Sequence, residues 1–261
     1  AVILFLISHP DSITTDFSSL EFVVYGASPI AESTIVKARE IMKCDLYQVY
    51  GLTETTGAIT MMMPDDHNPE RGKLRSCGKA LKGVELKVID DDGNDLETGE
   101  IGEVISKSKL NMKGYWNKPD ATKESIVDGW FYSGDAGFFD EEGFLFIHDR
   151  VKDMIVSGGE NIYPAEVENA LMSHDEILDA AVVGVPDEKW GESVKGFVVI
   201  GESSLSEEEI ISYTRSQIAA YKCPKSIEFI KELPRNPSGK ILRRELRDPY
   251  WEGIDRKVSG N

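Results

Sequence analysis

The stretch from Asp149 to Glu168, DRVKDMIVSGGENIYPAEVE, constrains this chain more than any other. A β-branched run ends at the pair Gly158-Gly159, where glycine permits positive φ or a close backbone approach to a ligand, although such a pair after a strand also reads as an ordinary turn. Tyr163-Pro164-Ala165-Glu166 then opens a helix. Pro164 suits its first turn, where a missing N–H costs nothing, and Glu166 and Glu168 favour the positive end of the dipole. The spacing predicts a helix over about Pro164 to Ser173. On its own residues the stretch marks a domain junction, with hairpins before it and alternating helix and strand after it.

Upstream, EFVVY at 21–25 is a buried-strand pattern, ASPIAESTIVKAREIM reads as a helix, and LYQVYG at 46–51 is the next strand. Strand, helix, strand in that order predicts an α/β unit with a parallel sheet. From Gly78 to His148 short alternating runs are broken by turn signals: VELKVI and EIGEVISK form one hairpin, GFFDEEGFLFIH another. This predicts an antiparallel β subdomain. The DDDGND between the first pair fails the calcium-loop spacing, because Val88 would stand at the first ligand position. After the junction, AAVVGV, VKGFVVI and SIEFI are strands, and SEEEIISYTRSQIAAY is a helix opened by a capping box of Ser206 and Glu209. The result is a compact α+β domain.

Charge and length limit the functions open to such a chain. With 261 residues it is long enough for one large or two modest domains, each able to bury a core, and its formal charge of −17 repels nucleic acid and anionic membrane surfaces. Cys44, Cys77 and Cys223 lie far apart with no CxxC pair, so neither a disulfide framework nor a zinc site is suggested, and a reducing cytoplasm fits. The opening AVILFLI is too short for a signal peptide or a membrane span and is expected to be a buried helix or strand.

Five motifs in order carry a resemblance: YGASP at 25–29, YGLTE at 50–54, YSGD at 132–135, the junction itself, and PRNPSGKILR at 234–243. Taken singly, YGASP reads as a strand before a proline-started helix, Asp135 as the start of a turn, and Lys240 as a solvated residue of a Pro/Gly-rich turn. Together they resemble the adenylate-forming superfamily, and the wording NMKGYWNKP and DEKWGE is similar to its fatty-acyl-CoA ligase branch. The resemblance implies that a carboxylic acid is activated with MgATP to an acyl-AMP and then passed to the thiol of CoA. It implies a nucleotide site of Gly26, Ala27, Ser28, Tyr50, Gly51, Asp135 and Arg150. Thr53 would bind phosphate, Glu54 would hold Mg²⁺, and Lys240 would contact both acid and phosphate. Lys152 matches the hinge; Gly158, Gly159, Trp190, Tyr221 and Lys225 match CoA contacts. Cys223 departs from the basic residue of some relatives, which weakens the CoA transfer. Trp190 by itself reads equally as a half-buried surface aromatic.

The family's Ser/Thr/Gly-rich phosphate loop lies upstream of YGASP and is not found among these residues. The chain is therefore expected to be the C-terminal half of an acyl-CoA synthetase, inactive by itself. Residues 1–77 would be a remnant of the large α/β adenylation domain, 78–151 its antiparallel β subdomain, and 152–261 a small mobile α+β lid. An enzyme that loads a carrier protein and a non-catalytic nucleotide-binding fragment are the alternatives. A homo-oligomer is compatible with the sequence, which sets neither acyl chain length nor oligomeric state.

Overall fold

The computed structural model describes residues 2–27, 30–201, 204–237 and 239–253. The chain divides into two compact units, 1–147 and 148–261.

The first unit opens with α1 (Val2–Ser8), which buries only Ile7 and leaves Phe5 73% exposed. The apolar run is therefore a helix, as one of the two expectations had it, but it is not buried. Next come β1 (Phe22–Gly26), α2 (Glu32–Met42) and β2 (Asp45–Leu52). β1 and β2 pair in parallel with Val24 opposite Tyr47 and Gly26 opposite Val49, as the strand, helix, strand pattern predicts. Ile35, Ala38 and Met42 recur at helical spacing and pack with Leu46, which gives α2 the buried face that holds it on the sheet. β3 (Gly57–Met62) and β4 (Lys79–Ala80) extend this sheet antiparallel.

A second sheet is built from β5 (Val84–Ile89) and β6 (Gly102–Ser108), followed after α3 (Pro119–Ser125) by β7 (Ile126–Val127), β8 (Trp130–Phe139) and β9 (Leu145–Arg150). Its strand order is β5-β6-β8-β7 with β9 on β8, and the β5/β6 hairpin closes where the Asp90 carboxylate accepts from the amides of Asp92 and Asn94. DDDGND is thus a self-capped turn, as its spacing suggested.

In the second unit, β10 (Ile155–Ser157) and β11 (Glu160–Ile162) form a tight hairpin about Gly158-Gly159 and lead into α4 (Pro164–Met172). β12 (Ile177–Asp187) and β13 (Gly191–Ile200) make a long antiparallel pair; α5 (Glu207–Gln217), β14 (Ser226–Phe229) and α6 (Arg243–Arg247) complete the unit. The continuous apolar run on β12 is explained by burial on both faces. Ala180 and Val182 face α4 and α5 through Val167, Leu171 and Ile210, whereas Ala181 and Val183 pack with Phe197 and Leu233 on the other side. Burying a side chain such as Leu171 contributes roughly 1.5–3 kcal/mol. The Ser206/Glu209 capping box forms as expected, with Ser206 N donating to Glu209 Oε2 at 2.9 Å.

Candidate active site

In the first unit β1 ends at Gly26, paired with Val49, so Ala27 follows β1 where Tyr50 and Gly51 follow Val49 on β2. Ala27 holds a left-handed backbone at φ 66°. Ser28 and Pro29 lie outside the described residues. Tyr25, one residue before Gly26, is fixed by a histidine that sequence reasoning missed. His67 is fully buried, its Nδ1 stands 2.8 Å from the Met63 carbonyl, and its Nε2 stands 3.0 Å from the Tyr25 hydroxyl. A carbonyl can only accept, so Nδ1 carries the proton and Tyr25 donates to Nε2. Burial drives the His67 imidazole below its ordinary value and the Tyr25 phenol above its own.

Tyr50 was expected to offer a ring face; the structure adds a role for its hydroxyl, which donates to Asp135 Oδ2 at 2.6 Å. Burial first, and the Asp135 carboxylate second, push the Tyr50 phenol well above its ordinary value. Asp135 does not start a turn. It is 6% exposed and sits within β8, where the β6/β8 register shifts between Glu103 and Ile105. Gly134 takes φ 68° there and donates its N–H to Glu103 Oε1 at 2.8 Å, so a bulge, rather than a turn, re-aims Asp135.

After β2 a short 3-10 turn, Thr53–Thr55, is closed by the buried Thr55 hydroxyl, which accepts from Leu52 N at 3.0 Å. This leaves Thr53 exposed and Glu54 half-buried. The Tyr115 hydroxyl donates to Glu54 Oε1 at 2.9 Å, and the Glu54 carbonyl accepts from Met112 N at 2.6 Å. Tyr115 belongs to the GYW wording, the one signal in the sequence that could have found it. Among the described residues no three His, Cys, Asp or Glu side chains gather to hold a metal. Cys77 is buried and its thiol is pushed up to about 11 by that burial, so it is poorly nucleophilic.

The second unit carries the remaining candidates. Arg150 ends β9 and Lys152 stands exposed in the 3-10 turn Val151–Asp153. Gly158 takes φ 63°, donates to the Trp190 carbonyl at 2.8 Å, and lies under the Trp190 ring, where an added Cβ would meet Cε3 at 2.7 Å. The glycine pair and Trp190 thus form one surface. Tyr221 is exposed in the 3-10 turn Ala220–Lys222, and Lys225 is exposed beside β13, its N–H donating to the Val194 carbonyl at 2.8 Å. Lys240 is exposed on a hairpin whose turn closes through Asn236 N to the Lys240 carbonyl and Lys240 N to Asn236 Oδ1, both 2.9 Å. Gly26, Ala27, Tyr50, Gly51, Thr53, Glu54 and Asp135 are therefore features of one unit; Arg150, Lys152, Gly158, Gly159, Trp190, Tyr221, Lys225 and Lys240 belong to the other.

Comparison with known proteins agrees with this division. The family model described as AMP-binding enzyme matches residues 2–116, and that described as AMP-binding enzyme C-terminal domain matches 166–240. Between them they match well over half of the chain. It belongs to the AMP-binding enzyme family. Among curated relatives, a fatty acid–[acyl-carrier-protein] ligase of Streptomyces coeruleorubidus is 44% identical over 99% of this chain and 50% of its own length. A long-chain-fatty-acid–CoA ligase of Mycobacterium tuberculosis is 40% identical over 96% of this chain and 49% of its own length. A solved amide bond synthetase from Marinactinospora thermotolerans aligns with a TM-score of 0.86 at 37% identity, over 95% of this chain and 51% of that one. The chain spans about half the length of the curated relatives it matches.

These matches correct one expectation. The chain was read as a C-terminal half carrying only a remnant of the large domain. Instead both family models match, and relatives align over nearly all of its residues, so the two-domain AMP-binding fold is represented along the chain from residue 2 onward. The remnant can no longer serve as the ground for expecting inactivity.

Proposed function

We infer that this chain takes part in ATP-dependent activation of a carboxylic acid to an acyl-AMP, followed by transfer of the acyl group to CoA. The observation that carries the reading is the Tyr50–Asp135 pair at 2.6 Å, with Tyr50 on β2 one residue after the partner of Gly26 and three before the Thr53–Thr55 turn. A buried carboxylate oriented by a phenol is suited to accept from both ribose hydroxyls, and the Tyr50 ring and the Gly26-Ala27 backbone can flank adenine. Ser28 and Gly51 complete the nucleotide set, with Arg150 as the second ribose partner. Thr53 presents a hydroxyl to phosphate. Glu54, oriented by Tyr115, takes the Mg²⁺ that enters as MgATP.

Attack of an acid carboxylate on the α-phosphate brings two anions together, so a cation must stand where negative charge accumulates. Lys240 supplies it, free to reach from its exposed turn. Lys152 is the hinge about which the second unit presents first Lys240 and later the surface formed by Gly158, Gly159 and Trp190, with Tyr221 and Lys225 meeting the CoA nucleotide. Among the described residues no helix is long and apolar enough to cross a membrane, and Cys44, Cys77 and Cys223 are free thiols, which is compatible with a cytoplasmic enzyme.

A second reading, transfer to a carrier protein, is favoured by the 44% identical Streptomyces relative. The test is calorimetric titration with AMP and with a non-hydrolysable acyl-AMP analogue, followed by offering acyl-AMP to CoA and to a phosphopantetheinylated carrier in parallel. Saturable nucleotide binding that weakens by about 1–3 kcal/mol in Asp135→Ala is expected, with CoA the better acceptor. Equal affinity in the folded variant would refute the ribose role; preference for the carrier would select the second reading.

A further inference from the structure

Arg243 is three residues beyond Lys240 and opens α6, yet it is not a solvated companion of the lysine. Its Nη2 stands 2.7 Å and its Nε 3.1 Å from the two carboxylate oxygens of Glu168 on α4, a bidentate pair. Its Nη1 is 3.7 Å from Asp149 Oδ1. Asp149 is buried, the Glu168 side chain is 14% exposed, and both are otherwise engaged: Glu168 Oε1 accepts from Val182 N at 2.9 Å, and Asp149 Oδ2 accepts from Ala165 N at 2.9 Å. A second α6 arginine, Arg247, stands 3.6 Å from Asp153 Oδ1.

The hairpin that carries Lys240 is also tied internally, by Arg235 Nη1 donating to the Gly239 carbonyl at 2.7 Å and by the Arg235–Ile241 bridge. Leu242 N donates to the Pro234 carbonyl at 2.8 Å at its base, and Ile241 packs at the edge of the cluster formed by Ala181, Val183, Phe197 and Leu233. On its other strand Arg235 reaches Asp179 at 2.6 Å, but that pair is substantially exposed and so weakly fixing. The bidentate tie at Arg243, with 21% and 14% of its two side chains exposed, is the better covered of these ion pairs and anchors the chain just after the lysine turn.

We propose that Arg243 and Glu168 are a positioning pair for Lys240, holding the lysine turn against α4 so that the ammonium is delivered in register for adenylation. The proposal rests on the role given to Lys240 in the proposed function. A misplacement of about 1 Å in a group that must meet a developing charge costs on the order of 10²-fold in rate. The pair acts through Lys240 alone, so acyl transfer, which does not use that lysine, should be spared.

The test compares the full chain with Arg243→Met, Arg243→Lys, Glu168→Gln and the Glu168→Gln/Arg243→Met double variant. Three readouts are taken: amide hydrogen exchange across 234–242, ATP–pyrophosphate exchange, and transfer from supplied acyl-AMP to CoA. Arg243→Met is expected to expose the amides of the lysine turn by roughly tenfold or more in exchange rate while β12 and β13 stay protected. Adenylation should fall on the order of 10²-fold and transfer should stay within about threefold. Arg243→Lys should fall between, because a point charge cannot reproduce the fork. The double variant removes the unpaired, largely buried carboxylate of Glu168 and should regain melting temperature over Arg243→Met without regaining adenylation. A merely structural role predicts the opposite, activity returning with stability, and that result would overturn the proposal, as would unchanged exchange in the turn. If the unsubstituted chain shows no pyrophosphate exchange, hydrogen exchange across 234–242 decides whether Arg243 holds the turn, and unchanged exchange there overturns the proposal.

Discussion

Replacing Tyr50 with Phe removes one oxygen and leaves the ring to pack as before. That oxygen donates to Asp135 Oδ2 at 2.6 Å, and Asp135 is only 6% exposed, so water cannot readily take its place. A hydrogen bond to a charged acceptor contributes roughly 1.5–3 kcal/mol. For a protein of this size each kcal/mol moves the melting midpoint by about 2–4 °C, so a fall of about 3–12 °C is expected. AMP affinity should weaken too, because the carboxylate keeps its charge but loses the contact that aims it.

Asp135→Asn separates the two consequences. The amide oxygen can still accept from Tyr50, so stability should hold better than in Tyr50→Phe, whereas nucleotide affinity should fall further with the charge gone. Calorimetric melting and AMP titration on both single variants and the double variant close a cycle. Its coupling energy should be on the order of 1–3 kcal/mol, as for residues in direct contact. A coupling under about 0.5 kcal/mol in both measurements would mean that the two side chains act independently and that the pair does not orient the nucleotide site.

Lys240→Ala should lower acyl-AMP formation by ~10²–10³ while sparing CoA transfer from supplied acyl-AMP, and equal losses in the two half-reactions would contradict the assignment. Gly158→Ala forces a side chain onto a left-handed backbone, costing about 1–2 kcal/mol, and drives a methyl into Trp190; a shift in tryptophan emission with reduced CoA affinity is expected, and an unchanged spectrum would show that the ring is not seated there. His67 is buried and held below its ordinary value, so below about pH 6.5 the unfolded chain takes up a proton that the folded chain resists. Stability from this group is therefore lost as pH falls from the unfolded value towards the folded one; urea midpoints at pH 7.5 and 5.5 should differ less in His67→Gln than in the unsubstituted chain.

Much of the fold was legible because it depends on local spacing. Period-two alternation found the hairpins, Pro164 marked the start of α4, and Ser206 with Glu209 marked α5. The parallel pairing of β1 and β2 followed from the intervening helix. Asp135 was found as a site residue but assigned to a turn, because Gly134 is an ordinary turn signal. Only the cross-strand register, with Glu103 accepting from the Gly134 amide, turns that signal into a bulge inside a strand. The partners of site residues were hidden for a related reason: Tyr50 and Asp135 are 85 positions apart, and Tyr115 is 61 from Glu54.

Arg243 and Arg244 show where legibility ends. They stand side by side in sequence, with the same charge and after the same lysine, and nothing local distinguishes them. Successive side chains on a helix point about 100° apart, so once α6 forms only one of the two can face α4. Arg243 does, with 21% of its side chain exposed against 14% for Glu168; Arg244 turns outward, 84% exposed, and pairs with Asp248 at the end of its own helix. Which arginine is taken inward depends on the phase of a five-residue helix relative to a carboxylate 75 positions earlier. No property of either arginine encodes that phase. The same two substitutions to Met should therefore differ sharply: a neutral surface change at 244, where the exposed pair contributes little, and loss of a largely buried ion partner at 243, where an uncompensated carboxylate remains and the cost is about 3–5 kcal/mol. Equal melting midpoints for the two variants would mean that the phase of α6 has been misassigned.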